Sequence, residues 1–116
     1  RKHVGLIPPA PVQHAMTVGL AADAHVAEQR ERYRARRDVL RPALEAAGFV
    51  VRGQAGLYLW SADGRDARTQ VAALAEHGIL VAPGDFYGDA EHVRVALTAS
   101  DERIAEAARR LAGFRG

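Results

Sequence analysis

The chain has 116 residues, a formal net charge of +2, 48% hydrophobic and 26% charged residues, and no cysteine. That allows one compact domain with a modest core and excludes disulfide staples and thiolate metal sites. No apolar run approaches the roughly 20 residues of a membrane-spanning helix, and a pI near 9.5 at so small a net charge is poor ground for a nucleic-acid partner.

The segment 1–11 carries Pro8, Pro9 and Pro11, which disfavour helix interior and push their neighbours toward extended backbone. Pro11 suits the first turn of a helix. Beyond it Val12, Ala15, Met16, Gly19 and Leu20 recur at helical spacing, which predicts a helix over about 12–22. A longer helix is expected over 25–47, with Val26, Tyr33, Leu40, Leu44 and Ala47 along one face and Gly48 as its C-terminal stop. Arginine interrupts that stripe near its middle, and Pro42 either kinks the helix or splits it.

Two strands are predicted next, about 49–52 and 56–61, separated by Gly53 and Gly56. In the second, Leu57 and Leu59 face one way and Tyr58 and Trp60 the other. "ADGRD" is turn chemistry, and a helix follows from about Asp66 with Ala67, Val71, Leu74 and Ala75 inward and Gly78 at its end. "ILVAPG", 79–84, reads as a short buried strand stopped by Pro-Gly, and "DFYGDAE" as a loop. "HVRVAL", 92–97, is the last strand, with Val93, Val95 and Leu97 on one face and His92, Arg94 and Ala96 on the other. Thr98 and Asp101 have capping-box spacing before a closing helix that turns Ile104, Ala107, Ala108 and Leu111 inward. Paired strands mixed with helices predict an α+β fold, a short antiparallel or mixed sheet covered by helices on one face. A joint is expected near 21–25.

Arg94 is the residue with most chemical promise. It is either a surface arginine paired with Asp85 or Glu91, or a rigidly held guanidinium that grips a carboxylate through two parallel hydrogen bonds. Phe86 and Tyr87, large side chains in a loop, either cap the core or wall a pocket beside Arg94. Tyr58 and Trp60 divide in the same way between core and ligand wall. The six arginines of "EQRERYRARRDVLR" could track phosphates, but interleaved Glu28, Glu31 and Asp38 favour a solvated helix face. The five histidines lack metal-ligand spacing, and there is neither a glycine-rich phosphate loop nor a nucleophilic serine motif. Lys2 is the only lysine; the other fifteen basic residues are arginines. The residues alone therefore offer a carboxylate-binding candidate, with no catalytic residue, cofactor-binding residue or metal ligand.

Taken in order, these pieces resemble the C-terminal segment of class I/II, fold-type I aminotransferases that use pyridoxal 5'-phosphate. The resemblance rests on Gln13, Ala15 and Leu20; on Arg30, Tyr33, Arg36, Arg37, Asp38, Leu40, Leu44 and Gly48; on Gly56, Tyr58 and Trp60; on Gly78, Ile79, Val81, Pro83, Gly84 and Phe86; and on Arg94. It covers essentially the whole chain. Within the family, "GLIPPAPVQHAM" and "ILVAPGDFYG" are similar to actinobacterial-type N-succinyldiaminopimelate aminotransferases, which implies glutamate as amino donor and a place in lysine and diaminopimelate synthesis.

The resemblance implies that Arg94 binds the substrate α-carboxylate, that Phe86 and Tyr58 border the substrate, and that the Pro83–Gly84–Phe86 loop closes over it. It also implies a cytoplasmic homodimer acting on amino-acid and keto-acid substrates, with no nucleic-acid or membrane partner. Residues 1–24 would end the large cofactor domain and 25–116 would form the small C-terminal domain. The chain departs from the family in its cofactor residues: the aspartate that pairs with the pyridine nitrogen and the groups that hold the phosphate are expected to lie outside it. Lys2, between Arg1 and His3, lacks the "SK" context of the cofactor lysine, so the 116 residues alone are expected to be a piece of a longer protein and inactive by themselves. A stand-alone carboxylate-binding module without catalysis is the alternative reading.

Overall fold

A computed structural model describes residues 8–114; Lys2 and His3 lie outside the described residues. The chain divides into two compact units, residues 1–30 and 31–116. In the first, helix α1 (Ala10–Leu20) begins after Pro9 with proline in its first turn. Its expected apolar stripe exists but α1 buries none of its residues: Val12, Met16, Val18 and Leu20 are all exposed.

Helix α2 (Asp23–Ala46) contains Pro42 and is not split by it. Proline removes one backbone donor, yet the turns around it are anchored from outside. Leu40 and Leu44 are buried, and Arg41 donates to the carbonyls of Val51 and Gly53 and pairs with Glu45. Gly48 ends the helix with φ +94, a left-handed backbone that a side chain would strain.

The second unit holds a four-stranded sheet in the order β1 (Val50–Arg52), β2 (Tyr58–Ala62), β4 (Val93–Ala96), β3 (Ala82–Pro83), every pair antiparallel. Helices α2, α3 (Ala67–Glu76) and α4 (Asp101–Leu111) cover one face. The core between them contains Leu40, Leu44, Phe49, Val51, Leu59, Leu74, Val93, Val95, Leu97, Ile104 and Leu111. The alternation expected of "HVRVAL" is observed: Val93, Val95 and Leu97 are buried and Ala96 is exposed.

Three expectations are corrected. The run 79–84 is not a buried strand. Only Ala82 and Pro83 pair, at the sheet edge, and Leu80 is 86% exposed, because an edge strand with a proline has one ladder partner and little cover. In α3 Ala75 is exposed while Gln70 is fully buried, since the amide finds partners that make burial affordable: it donates to the carbonyls of Arg65 and Glu91 and accepts from the amide of Asp63. The cap of α4 is Ser100, whose hydroxyl accepts from the Arg103 amide, in place of the expected Thr98. Asp66 caps α3 by accepting from the amides of Arg68 and Thr69.

Candidate functional site

The sheet face opposite the helices carries a polar and aromatic surface. Cross-strand register sets Arg52, Trp60, Arg94 and Ala82 side by side across the four strands. Tyr58 lies one pleat along β2 from Trp60 on the same face. Because the valines of β4 fill the core, alternation fixes Arg94 on this outer face.

Arg94 is half-buried and has no carboxylate partner among the described residues. The two acids that sequence offered are committed elsewhere or absent from it: Asp85 pairs with Arg68 at 2.7 Å, and Glu91 makes no ion pair with Arg94. The guanidinium instead lies 4.4 Å from the ring centroid of Tyr58 and 5.1 Å from that of Tyr87. Its Nε is buried without a hydrogen-bond partner, whereas its two terminal nitrogens are not among the buried unpartnered atoms. The donors that Arg94 has left to offer an acceptor are those of its outer edge, Nη1 and Nη2. Aromatic faces stabilise the cation without using its N–H groups, which leaves those donors free.

Tyr87 reaches this position from a 3-10 turn (Gly84–Tyr87) that follows β3. The turn is cinched by backbone bonds from Gly84 to the His92 carbonyl and from Asp89 to the Gly84 carbonyl. A Cβ on Gly84 would stand 2.2 Å from the Asp89 carbonyl oxygen and 2.5 Å from that of His92, so only glycine permits this approach. Asp89 then gathers three donors: the Trp60 indole N–H at 3.2 Å, the Glu91 amide at 3.0 Å and the His92 ring at 3.0 Å. Its carboxyl is held down to about 2 by the His92 hydrogen bond first and the Glu91 amide second. The Trp60 ring meets Tyr87 edge-on at 5.8 Å and stacks on His92 at 5.8 Å.

Of the residues singled out from sequence, the structure thus brings Tyr58, Tyr87 and Arg94 together. Phe86, its neighbour, is 70% exposed and has no ring or cation partner among the described residues. Neither Phe86 nor Tyr87 serves as a cap on the core; both are exposed. Tyr58 is also exposed and Trp60 only partly buried, so the aromatic pair on β2 is surface. Asp89 and His92 were missed. The signal for them is local: an aspartate three residues before a histidine, in a turn whose i+2 amide returns to the carboxylate. The arginines of α2 are largely spent on structure: Arg34 on Glu31, Arg36 on Asp101 and the Leu97 carbonyl, Arg37 on the Gly56 carbonyl.

Residues 2–111 match the family model for aminotransferases of class I and II. The chain belongs to that family. It is 60% identical over 114 residues to a probable aminotransferase, Rv1178, of Mycobacterium tuberculosis, covering 96% of this chain and 27% of that protein. It is 57% identical to the Streptomyces rimosus 4-dedimethylamino-4-oxo-anhydrotetracycline transaminase OxyQ, covering 96% and 32%. An LL-diaminopimelate aminotransferase of Oleidesulfovibrio alaskensis is 39% identical, with 89% and 28% covered. Among solved structures, a Thermus thermophilus aspartate aminotransferase mutant superposes with a TM-score of 0.76 at 32% identity, over 86% of this chain and 29% of that one. The chain spans under a third of the length of these curated relatives. No helix among the described residues is long and apolar enough to cross a membrane.

Pyridoxal 5'-phosphate is the cofactor of this family. Lys2 being the sole lysine, the described residues contain no amine to which that aldehyde could attach.

Proposed function

We propose that this segment serves a pyridoxal-phosphate-dependent aminotransferase as its substrate-carboxylate grip. Arg94 receives the α-carboxylate of the amino or keto acid, and Tyr58 borders it. Phe86, exposed on the turn that follows β3, covers the substrate when the site closes. The observation that carries this reading is a guanidinium fixed on a strand between buried valines, flanked by two tyrosine rings, with its terminal donors unclaimed. Holding a carboxylate at one fixed point orients the α-carbon, and positioning of this kind lowers the barrier without a proton being moved by the holder. The cofactor, when bound, supplies the electron sink.

In this reading residues 1–24 close the large domain and 25–116 form the small domain of a cytoplasmic homodimer. The amino donor is glutamate and the acceptor N-succinyl-2-amino-6-ketopimelate, which places the enzyme in diaminopimelate and lysine synthesis. The similarity to LL-diaminopimelate aminotransferases supports an acceptor of this skeleton. The test is a substrate panel on the full-length enzyme with 2-oxoglutarate as co-substrate. N-succinyl-LL-diaminopimelate should be turned over with a kcat/KM at least tenfold above that of unsubstituted LL-diaminopimelate; the reverse order refutes the succinylated substrate while leaving the carboxylate grip intact.

A further inference from the structure

We infer that Asp89 is a positioning residue for the carboxylate grip: it fixes Trp60 and Tyr87, and through them the orientation of Arg94. The inference rests on the reading of Arg94 given above. Asp89 lies in the turn before β4 and makes no hydrogen bond or ion pair with the guanidinium. Its carboxylate accepts from the Trp60 indole, the Glu91 amide and the His92 ring, three donors belonging to β2, to the turn and to the residue leading into β4. The indole bond fixes the rotation of Trp60, which is the direct cross-strand neighbour of Arg94. His92 stacks on the same indole with an interplanar angle of 13°, so Trp60 is held from its edge and from its face. Tyr87 packs edge-on against that ring at 76° and lies against the guanidinium in turn. Neither Trp60 nor Tyr87 has core packing to immobilise it: Tyr87 is exposed and Trp60 only partly buried. The Asp89 hydrogen bond holds Trp60, and Tyr87 is held by its contact with that ring.

The arrangement has a consequence for function. An arginine side chain has several rotatable bonds, and a bidentate grip is strong only when the fork is preorganised. A loose Tyr87 frees the guanidinium to sample orientations in which only one terminal nitrogen meets the ligand. Removing Asp89 should therefore weaken carboxylate binding only where a planar fork exists to be oriented.

The experiment measures the dissociation constant of maleate, an unreactive dicarboxylate, on the full-length holoenzyme by calorimetry. Wild type, Asp89→Ala, Arg94→Lys and the double variant are compared. Asp89→Ala should weaken maleate about tenfold in the wild-type background, equivalent to about 1.4 kcal/mol. It should raise the glutamate KM similarly, with kcat within about twofold. In the Arg94→Lys background the same substitution should cost less than about twofold, because the fork it orients is gone. An equal loss in both backgrounds would mean general loosening and overturns the inference, as would an unchanged dissociation constant in Asp89→Ala. If Arg94→Lys itself leaves maleate binding unchanged, the carboxylate grip fails, and the positioning role with it. Should Asp89→Ala not fold, Trp60→Phe removes the indole donor and keeps a ring; it is expected to weaken maleate about threefold, and no change there overturns the inference.

Discussion

Replacing Arg94 by lysine in the full-length enzyme separates charge from geometry. Lysine retains the positive charge but not the fork. With Nε buried and the two terminal nitrogens unclaimed, the proposed grip has a carboxylate accepting two parallel hydrogen bonds end-on. Hydrogen bonds to charged groups contribute about 1.5–3 kcal/mol each, and an ammonium at this point keeps roughly one of the two. The expected loss is thus about 1.5–3 kcal/mol, a rise of about 10- to 150-fold in the KM for glutamate and for the keto acid. The cation–π contacts with Tyr58 and Tyr87 also weaken, at about 0.5–1 kcal/mol per ring for partly exposed contacts, but this falls largely on the free enzyme and enters binding weakly. Arg94→Ala loses both bonds and the charge, with an expected rise of about a hundredfold or more. Steady-state kinetics with each substrate varied supplies the numbers, and the cofactor absorbance should match wild type in both variants. A KM within twofold of wild type for both substrates of Arg94→Lys would refute the reasoning at its root.

Gln70→Leu should destabilise the join between α3 and β4, because two carbonyls and one amide lose a buried partner at about 1–3 kcal/mol each; hydrogen exchange at Asp63 and Ala67 should accelerate about a hundredfold. Gly84→Ala would press a methyl into the carbonyls of Asp89 and His92 and should abolish the turn, read as lost protection of the Asp89 amide and a maleate affinity at least as poor as that of Asp89→Ala. The Asp89 carboxyl is depressed from 3.8 to about 2, so its stabilising share is fully present above about 3.8 and is lost as pH falls through about 2. The stability gap between wild type and Asp89→Asn should then shrink as pH falls from about 3.8 toward about 2; a gap undiminished at the acid end of that range would exclude the carboxylate as its source. The 116-residue segment expressed alone should show no glutamate-dependent transamination with added pyridoxal phosphate, and measurable turnover would contradict that expectation.

The parts of the fold that could be read in advance are those in which one residue's own pattern decides its environment. The "VRVAL" alternation required that valine and leucine share a face, and they do. The stripe of Leu40 and Leu44 likewise needed only its own helical period. Reading failed where a distant partner reversed a local preference. Pro42 left a kink or a split open; α2 runs through it unsplit, with the neighbouring Arg41 held by the carbonyls of Val51 and Gly53, ten and twelve residues on. Gln70 is buried because Arg65 and Glu91 supply acceptors, and Leu80 is exposed because its run lies at an edge that no local pattern reveals.

The candidate site shows the same division. Arg94 stood out because a cation between two valines on a strand is a local contradiction, and Tyr58 because strand period placed it on the same face. Asp89 looks like an ordinary turn aspartate, since turns favour that residue for its backbone bonds alone. Its distinguishing contact is with Trp60, 29 residues earlier, and that contact exists only once β2 and β4 have paired. On the proposed reading, the identity of the carboxylate-binding arginine is encoded locally while its orientation is encoded by topology. It follows that substitutions along the 84–92 turn should alter affinity for acids without touching the arginine that binds them.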